Sequence, residues 1–419
     1  MPVDAHVDLL ALAGDPGLAH AAVVAVDGWQ LFVAEPVAQL RTVEQLSRFA
    51  EHIGWRDPPH HGPPRPPLAV GFVSDDVTPA LLGLPADPRP PVAHLPAVWF
   101  GVYEWALAVA PGGRTYRLGD VPARLLSPGP GDLRPAAATD PAPTARAGLD
   151  RRAHAERVAQ ILDWIAAGDL YQANLTFQIA VDWDGSAAAL ARQLSGATPG
   201  AAHAALLHPG SGQAVVSVSP ETFLRTRGDR VESRPIKGTR RRSADPVTDR
   251  RNARALSASA KDAAEHVMIV DLVRNDLGRV CRPGSITVPT LAGLESHPTV
   301  WHLSSSIRGA MTPTTSLGDL LAATFPPGSV TGAPKRMAVS KTALLEPVRR
   351  GVYCGAVGVV ARGGATLSVA IRTAVVEDGL ASYGAGGGIV ADSDASAEYD
   401  EALDKAAAFL RATGATLAG

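Results

Sequence analysis

The chain is predicted to fold in the α+β class, and three observations carry that expectation. Many short apolar runs are bounded by turn dipeptides such as Asp27-Gly28, Gly228-Asp229, Gly363-Gly364 and Asp378-Gly379, which reads as a series of strands and hairpins. Several other stretches carry apolar residues at helical spacing. The two patterns do not alternate regularly, so a parallel sheet of strand–helix–strand units is not expected.

Composition narrows the class of function. With 419 residues, 46% hydrophobic and 19% charged, the chain can bury a large core. A formal net charge of -2 gives no global sign of a nucleic-acid or membrane partner, so Arg240-Arg241-Arg242 is a local basic feature. No apolar run is long enough to span a bilayer. Met1 to Leu10 lacks the basic and apolar regions of a signal peptide, and a soluble, cytoplasmic protein is expected. Cys281 and Cys354 fit neither a disulfide framework nor a metal spacing and read as small core residues.

Taken in order, residues 21–35 read as a hairpin about Asp27-Gly28, and Thr42 to Gly54 as a short helix. Asp57 to Pro67 is a loop, crowded with Pro, His and Gly. Ala69 to Val73 and Val98 to Val109 have strand composition. The stretch from Pro122 to Ala147 is rich in Pro, Ala and Gly, so residues 122–150 are expected to be a linker between an N-terminal region, 1–121, and a larger unit, 151–419. Arg152 to Ala167 carries Val158, Ile161, Leu162 and Ile165 at helical spacing, with Gly168 as the stop. Tyr171 to Val181 and Ala214 to Ser219 are strands, with a helix over Ala187 to Leu194 between them. Phe223 to Arg227 and Arg230 to Ile236 form a hairpin. Ser259 to Leu277 is a long helix with Ser259 as its cap. Residues 299–308 are a strand, Leu317 to Phe325 a helix, and Pro326 to Lys335 a loop. Tyr353 to Ala361, Ala365 to Val376 and Leu380 to Ala385 read as a three-strand antiparallel meander, with a helix over Ser396 to Thr413.

Several residues stand out chemically. Lys237, in Ser233-Arg234-Pro235-Ile236-Lys237-Gly238-Thr239, precedes a glycine that permits a bend. It is either a strand-end lysine in water or an amine aimed into a cleft, where desolvation would make it a nucleophile or base near neutral pH. Glu398, Glu401 and Lys405 share one helix face, as do Asp262 and Glu265 on the long helix. These are either solvated faces or, if two helices meet, oxygen donors of the kind Mg²⁺ takes. Arg372 is expected inside the middle meander strand, as a rim arginine or a bidentate carboxylate clamp. Gly384-Ala385-Gly386-Gly387-Gly388 lacks the last glycine of a dinucleotide fingerprint, and a meander is the wrong setting for one. Its glycines are suited to bringing backbone N–H groups close to an anion. His302, in Trp301-His302-Leu303, reads on its own as a core histidine.

From Arg152 onward the chain resembles the chorismate-utilising enzymes. The resemblance rests on Gly168-Asp169-Leu170-Tyr171-Gln172-Ala173-Asn174-Leu175, Ser219-Pro220-Glu221 and Pro235-Ile236-Lys237-Gly238-Thr239. It continues through Ala264 to Arg279, Gly332-Ala333-Pro334-Lys335, Ala385 to Val390 and Glu398-Tyr399-Asp400-Glu401. Before Arg152 the match is looser, mainly at Gly101 to Leu107.

The resemblance implies a large antiparallel β-sandwich with helices packed outside, to which the N-terminal region contributes strands. It implies Lys237, Glu221 and His302 as catalytic residues. Thr239, Tyr353, Arg372, Lys405 and the backbone at Gly386, Gly387 and Gly388 would bind the substrate, chorismate. Glu265, Glu398 and Glu401 would hold Mg²⁺. Anthranilate synthases usually carry alanine where Lys237 stands. The branch with lysine there uses it to attack C2 of chorismate, and the implied product is 4-amino-4-deoxychorismate. Family members that activate water use a lysine at the position of Gln172. No glutaminase motif surrounds either cysteine, so a separate glutamine amidotransferase subunit is implied as the ammonia source. The competing readings are an anthranilate synthase-like enzyme and a non-catalytic chorismate-binding subunit. In the loop before Gly328, Pro327 stands where relatives often have glycine.

Overall fold

The computed structural model describes residues 2–3, 7–126, 133–136 and 142–418. The described residues form a 13-stranded and a 10-stranded sheet, antiparallel except where Thr416–Leu417 runs parallel to Thr144–Ala147. Apolar residues on the facing sides of both sheets make one core, which includes Val24, Leu31 and Val215 from the larger sheet and Val70, Phe72, Trp99 and Val357 from the smaller. The outer face of the larger sheet packs Phe177, Ile179 and Tyr383 against Tyr399, Ala402 and Phe409 of the helix Ala395–Thr413. The outer face of the smaller sheet packs Phe223 and Ile307 against Ile269 and Val273 of the helix Ala260–Gly278, and against Leu320 and Leu321 of Leu317–Thr324. The result is the expected sandwich with helices outside, since each sheet has two apolar faces to bury.

The N-terminal region supplies one end of each sheet. Ala22–Val26 pairs with His203–Gly210 in the larger sheet, and Leu68–Val73 pairs with Ala356–Ala361 in the smaller. Part of the stretch expected as a linker is structured. Thr144–Ala147 is a strand on Gln172–Asp182, and Ala145 and Leu149 are buried. Small residues that look like linker composition here fill an edge that the C-terminal helix covers. Residues 127–132 and 137–141 of that stretch lie outside the described residues.

The meander expected after Tyr353 is not formed as such. The run 365–376 divides into Gly364–Val369, in the smaller sheet, and Thr373–Glu377, in the larger. The chain crosses between sheets at Ala370-Ile371-Arg372, so Arg372 is not inside a strand, and its φ of 50° marks the corner. Continuous apolar composition hid the crossing, because strands on both sides are buried. A second crossing lies alongside it. Gln213–Ser219 belongs to the larger sheet and Thr222–Arg227 to the smaller, which leaves Pro220 and Glu221 at the corner. No described helix is long and apolar enough to cross a membrane.

Candidate active site

The two crossings place Glu221 and Arg372 at the seam between the sheets. Glu221 is 3% exposed and sits in the turn because Val369 donates its N–H to the Glu221 carbonyl at 3.0 Å. Ser329 Oγ donates to Glu221 Oε1 at 2.6 Å. Burial pushes the Glu221 carboxyl up to about 7, against the Ser329 hydrogen bond and the charge of Lys237, which both favour the anion. Near neutral pH a large share of molecules therefore carries a proton here, which suits a general acid. Arg372 donates no hydrogen bond and forms no ion pair among the described residues, while its charge acts on His302 and Tyr383. A planar fork left available in this way is suited to a carboxylate.

Lys237 lies on the strand Ile236–Arg241, which pairs with Val300–Ala310. Lys237 is opposite Leu303 and Thr239 opposite His302, so Gly238 is a bulge, and its φ of 78° is one that only glycine takes without strain. The bulge aims the Lys237 side chain, 14% exposed, toward Glu265 on the long helix, with Nζ to Oε2 at 3.9 Å. Desolvation lowers the lysine pKa, and the nearby ammonium of Lys405 adds to this while Glu265 opposes it. On the next position of the same strand, Thr239 Oγ1 lies 2.8 Å from His302 Nδ1. Burial pushes His302 down to about 4, with Arg372 as the second cause, so its ring is neutral at neutral pH.

The opposite wall comes from the larger sheet. Leu380–Ile389 pairs with Gln172–Asp182 along its length, but with Thr373–Glu377 only as far as Tyr383. Beyond that point the glycine run has a strand on one side only, which frees part of its backbone for a ligand. The strand expected to stop at Ala385 runs on to Ile389 and takes in the whole glycine run. Lys405 Nζ donates to the Gly386 carbonyl at 2.9 Å and pairs with Glu401 Oε1 at 2.8 Å. A Cβ on Gly387 would lie 3.3 Å from Glu398 Oε2 and 3.6 Å from Lys405 Nζ. On Gly388 it would lie 2.4 Å from Gln172 Nε2 and 3.2 Å from Lys237 Nζ, so the two walls meet here. Gln172 is fully buried, with neither amide atom hydrogen-bonded. Tyr353, in the turn before Ala356–Ala361, lays its ring over Gly384, and burial drives its phenol pKa well up.

The expected residues thus reach this seam from both sheets and from the two flanking helices. Four carboxylates, Glu221, Glu265, Glu398 and Glu401, stand around the ammonium groups of Lys237 and Lys405. Glu265 and Glu401 both act on the charge of Lys237. These hard oxygen donors match Mg²⁺ in chemistry, and the lysines stand where extra positive charge is called for. Among the described residues, however, no three His, Cys, Asp or Glu side chains are close enough together to hold an ion. Glu398 is instead 5% exposed and accepts from Ser393 Oγ at 2.6 Å.

Sequence reasoning did not single out Ser329, nor the pair of Lys335 Nζ and Asp276 Oδ2, 2.7 Å apart and almost buried. Burial pushes Asp276 up to about 6. Asp276 and Ser329 line one small cavity with Glu221, Ser233 and Thr324. A hydroxyl in a loop has no periodicity to betray it. Only the quoted motif around Lys335 carried a signal.

This constellation, set in a seam between two large antiparallel sheets, is suited to a small polyanion, with an amine and a buried carboxyl held beside it. Residues 17–411 match the family described as chorismate binding enzyme, and the chain belongs to that family. It is 37% identical over 401 residues to aminodeoxychorismate synthase component 1 of Klebsiella aerogenes, covering 90% of this chain and 88% of that one. It is also 41% identical over 304 residues to anthranilate synthase component 1 of Streptomyces coelicolor, covering 71% and 59%. The crystal structure of anthranilate synthase component I from Streptococcus pneumoniae TIGR4 superposes with a TM-score of 0.77 at 25% identity, covering 92% of each chain. MenF, the menaquinone-specific isochorismate synthase from Escherichia coli, shares the fold, with a TM-score of 0.78 at 18% identity over 99% and 93% of the chains.

Proposed function

We propose that this enzyme aminates chorismate to 4-amino-4-deoxychorismate, the precursor of 4-aminobenzoate for folate synthesis, acting as an aminodeoxychorismate synthase component 1. The observation that carries the reading is Lys237, an amine of lowered pKa beside Glu265 and Gly388. Where anthranilate synthases usually have alanine, this chain has a nucleophile.

The placement of the groups supports the following course of reaction. Arg372, Tyr353, Lys405 and the open backbone of Gly386 to Gly388 orient the substrate carboxylates. In its deprotonated form, which desolvation favours, Lys237 adds through Nζ at C2, and Glu265, 3.9 Å away, can take the proton released from nitrogen. Both conjugated ring double bonds shift, C1=C2 to C1=C6 and C5=C6 to C4=C5, the C4–O bond breaks, and Glu221 gives its proton to the oxygen, which leaves as water. Ammonia then adds at C4, both double bonds shift back, and the C2–N bond to Lys237 breaks, with the proton that the incoming nitrogen gives up matching the one the departing amine regains. The balance is chorismate plus ammonia to aminodeoxychorismate plus water. Neutral His302, tied to Thr239, lines the substrate cleft without adding charge. Glu265 and Glu401, with Glu398 beside them, are the carboxylates that would hold Mg²⁺ on drawing closer than they stand here, and the bound ion would draw electrons from the ring carboxylate.

Ammonia is expected to come from a glutamine amidotransferase subunit, in keeping with the component 1 names of the relatives. The test is product analysis with chorismate, Mg²⁺ and ammonium salt, followed by a lyase that converts aminodeoxychorismate to 4-aminobenzoate. 4-Aminobenzoate is the expected product, and anthranilate would overturn the reading. Repeating the assay with glutamine in place of ammonium, with and without the amidotransferase, tests the partner.

A further inference from the structure

Behind the site lies a buried ion pair that the chemistry above does not use. Arg350 is 6% exposed and pairs with Glu346, Nη2 to Oε1 at 2.8 Å. The same guanidinium donates Nη1 to the Val330 carbonyl at 3.0 Å and Nη2 to the Asn174 carbonyl at 2.7 Å. Val330 follows Ser329, whose hydroxyl is on Glu221. Asn174 is paired across the sheet with Gly388, where Lys237 approaches the glycine wall. Glu346 is in turn held by the Thr176 N–H at 3.0 Å, by Thr176 Oγ1 at 2.9 Å and by Arg89 Nη1 at 2.9 Å.

We propose that Arg350 is a positioning residue for the proton donor. Its fork ties the loop Gly328–Val330 to the strand Gln172–Asp182 and thereby holds the Ser329 hydroxyl on Glu221 at a fixed place relative to Lys237. The inference rests on the reading of Glu221 as general acid. A buried ion pair is often no better for stability than apolar side chains of the same volume, so its directional donors are its distinguishing property. Lysine cannot reproduce a planar fork reaching two carbonyls and a carboxylate at once. The groups facing Glu221 are Lys237, the Ile236 N–H, Ser329 and, across the small cavity, Asp276 with its partner Lys335. Of these, Ser329 is the one that lies within the loop Arg350 holds.

The test compares pH profiles of kcat/KM, with ammonium as nucleophile, for the parent enzyme, Ser329→Ala, Arg350→Lys and the apolar double variant Arg350→Met/Glu346→Leu. The last removes both charges of the pair together and leaves Arg89 with its other partner, Asp87. Activity requires protonated Glu221, so the rate falls as pH rises through its pKa. Ser329 stabilises the anion, and its removal should move this alkaline limb upward by about one pH unit. Arg350→Lys and the double variant should move the limb the same way and lower kcat about tenfold or more, with little change in KM for chorismate. Retention of the parent limb and kcat in the folded double variant would overturn the proposal. If Arg350→Lys does not fold, Ser329→Ala and the double variant carry the test. Glu221→Gln is the control. If it keeps the parent profile, the general-acid reading itself fails, whereas loss of the limb in Glu221→Gln alone removes only the role of Arg350.

Discussion

Gly384 lies directly beneath the ring of Tyr353, so close that a Cβ on the glycine would stand 2.1 Å from the tyrosine Cγ. The ring can hold its place in the seam only because the facing strand has no side chain there. Gly384→Ala should therefore displace Tyr353, cost about 1–3 kcal/mol in overpacking, and raise KM for chorismate more than it lowers kcat. Thermal melts and steady-state kinetics on the one variant check both effects, and an unchanged KM would remove Tyr353 from substrate binding.

Lys237→Ala should abolish formation of aminodeoxychorismate and leave chorismate binding in place, since the carboxylate-binding groups lie on other elements. Binding is read by calorimetry and turnover by the coupled lyase assay. Unimpaired turnover would end the covalent role of the lysine.

Glu221→Gln should lose activity by on the order of 10²–10⁴-fold, the usual worth of a positioned acid. It should also stabilise the fold. The carboxyl is raised from 4.5 to about 7, so the folded state prefers the neutral form. That contribution is fully present below about pH 4.5 and is lost as pH rises through about 7. Glutamine stays neutral throughout. The variant should melt higher than the parent above about pH 7, by at most a few kcal/mol of stability, and the difference should vanish toward about pH 4.5. Equal melting temperatures across that range would show that the carboxyl is not held neutral.

Glu401→Gln should weaken Mg²⁺ activation, shifting the metal titration to higher concentration without changing the identity of the product. The same titration on Glu265→Gln should shift in the same direction. A normal midpoint in both would contradict these carboxylates as ligands.

Much of this was legible in the sequence. The hairpin at Asp27-Gly28, the helix capped by Ser259 and the last long helix announce themselves by turn chemistry and period, which are local, though the Asp394 cap that starts the last helix went unread. Lys237 and Gly238 could be seen to matter together, and the bulge explains why. Arg372 could not be placed, because a strand that leaves one sheet for another looks like one long buried strand. Glu346 and Arg350 spell an ordinary helix-type pair, four residues apart. Only the folded chain shows that they are buried together against a strand far away in sequence.

The division of the sheets bears on how the chain can be cut. His203–Gly210 and Ala356–Ala361 are interior strands only because segments from the first 121 residues lie beside them. A fragment beginning near residue 151 would keep the named site residues yet leave both strands with bare, apolar edges, one on each layer. Such edges recruit other chains. The excised fragment should aggregate rather than behave as an autonomous catalytic module, and co-expressing the missing piece in trans should restore it to solution.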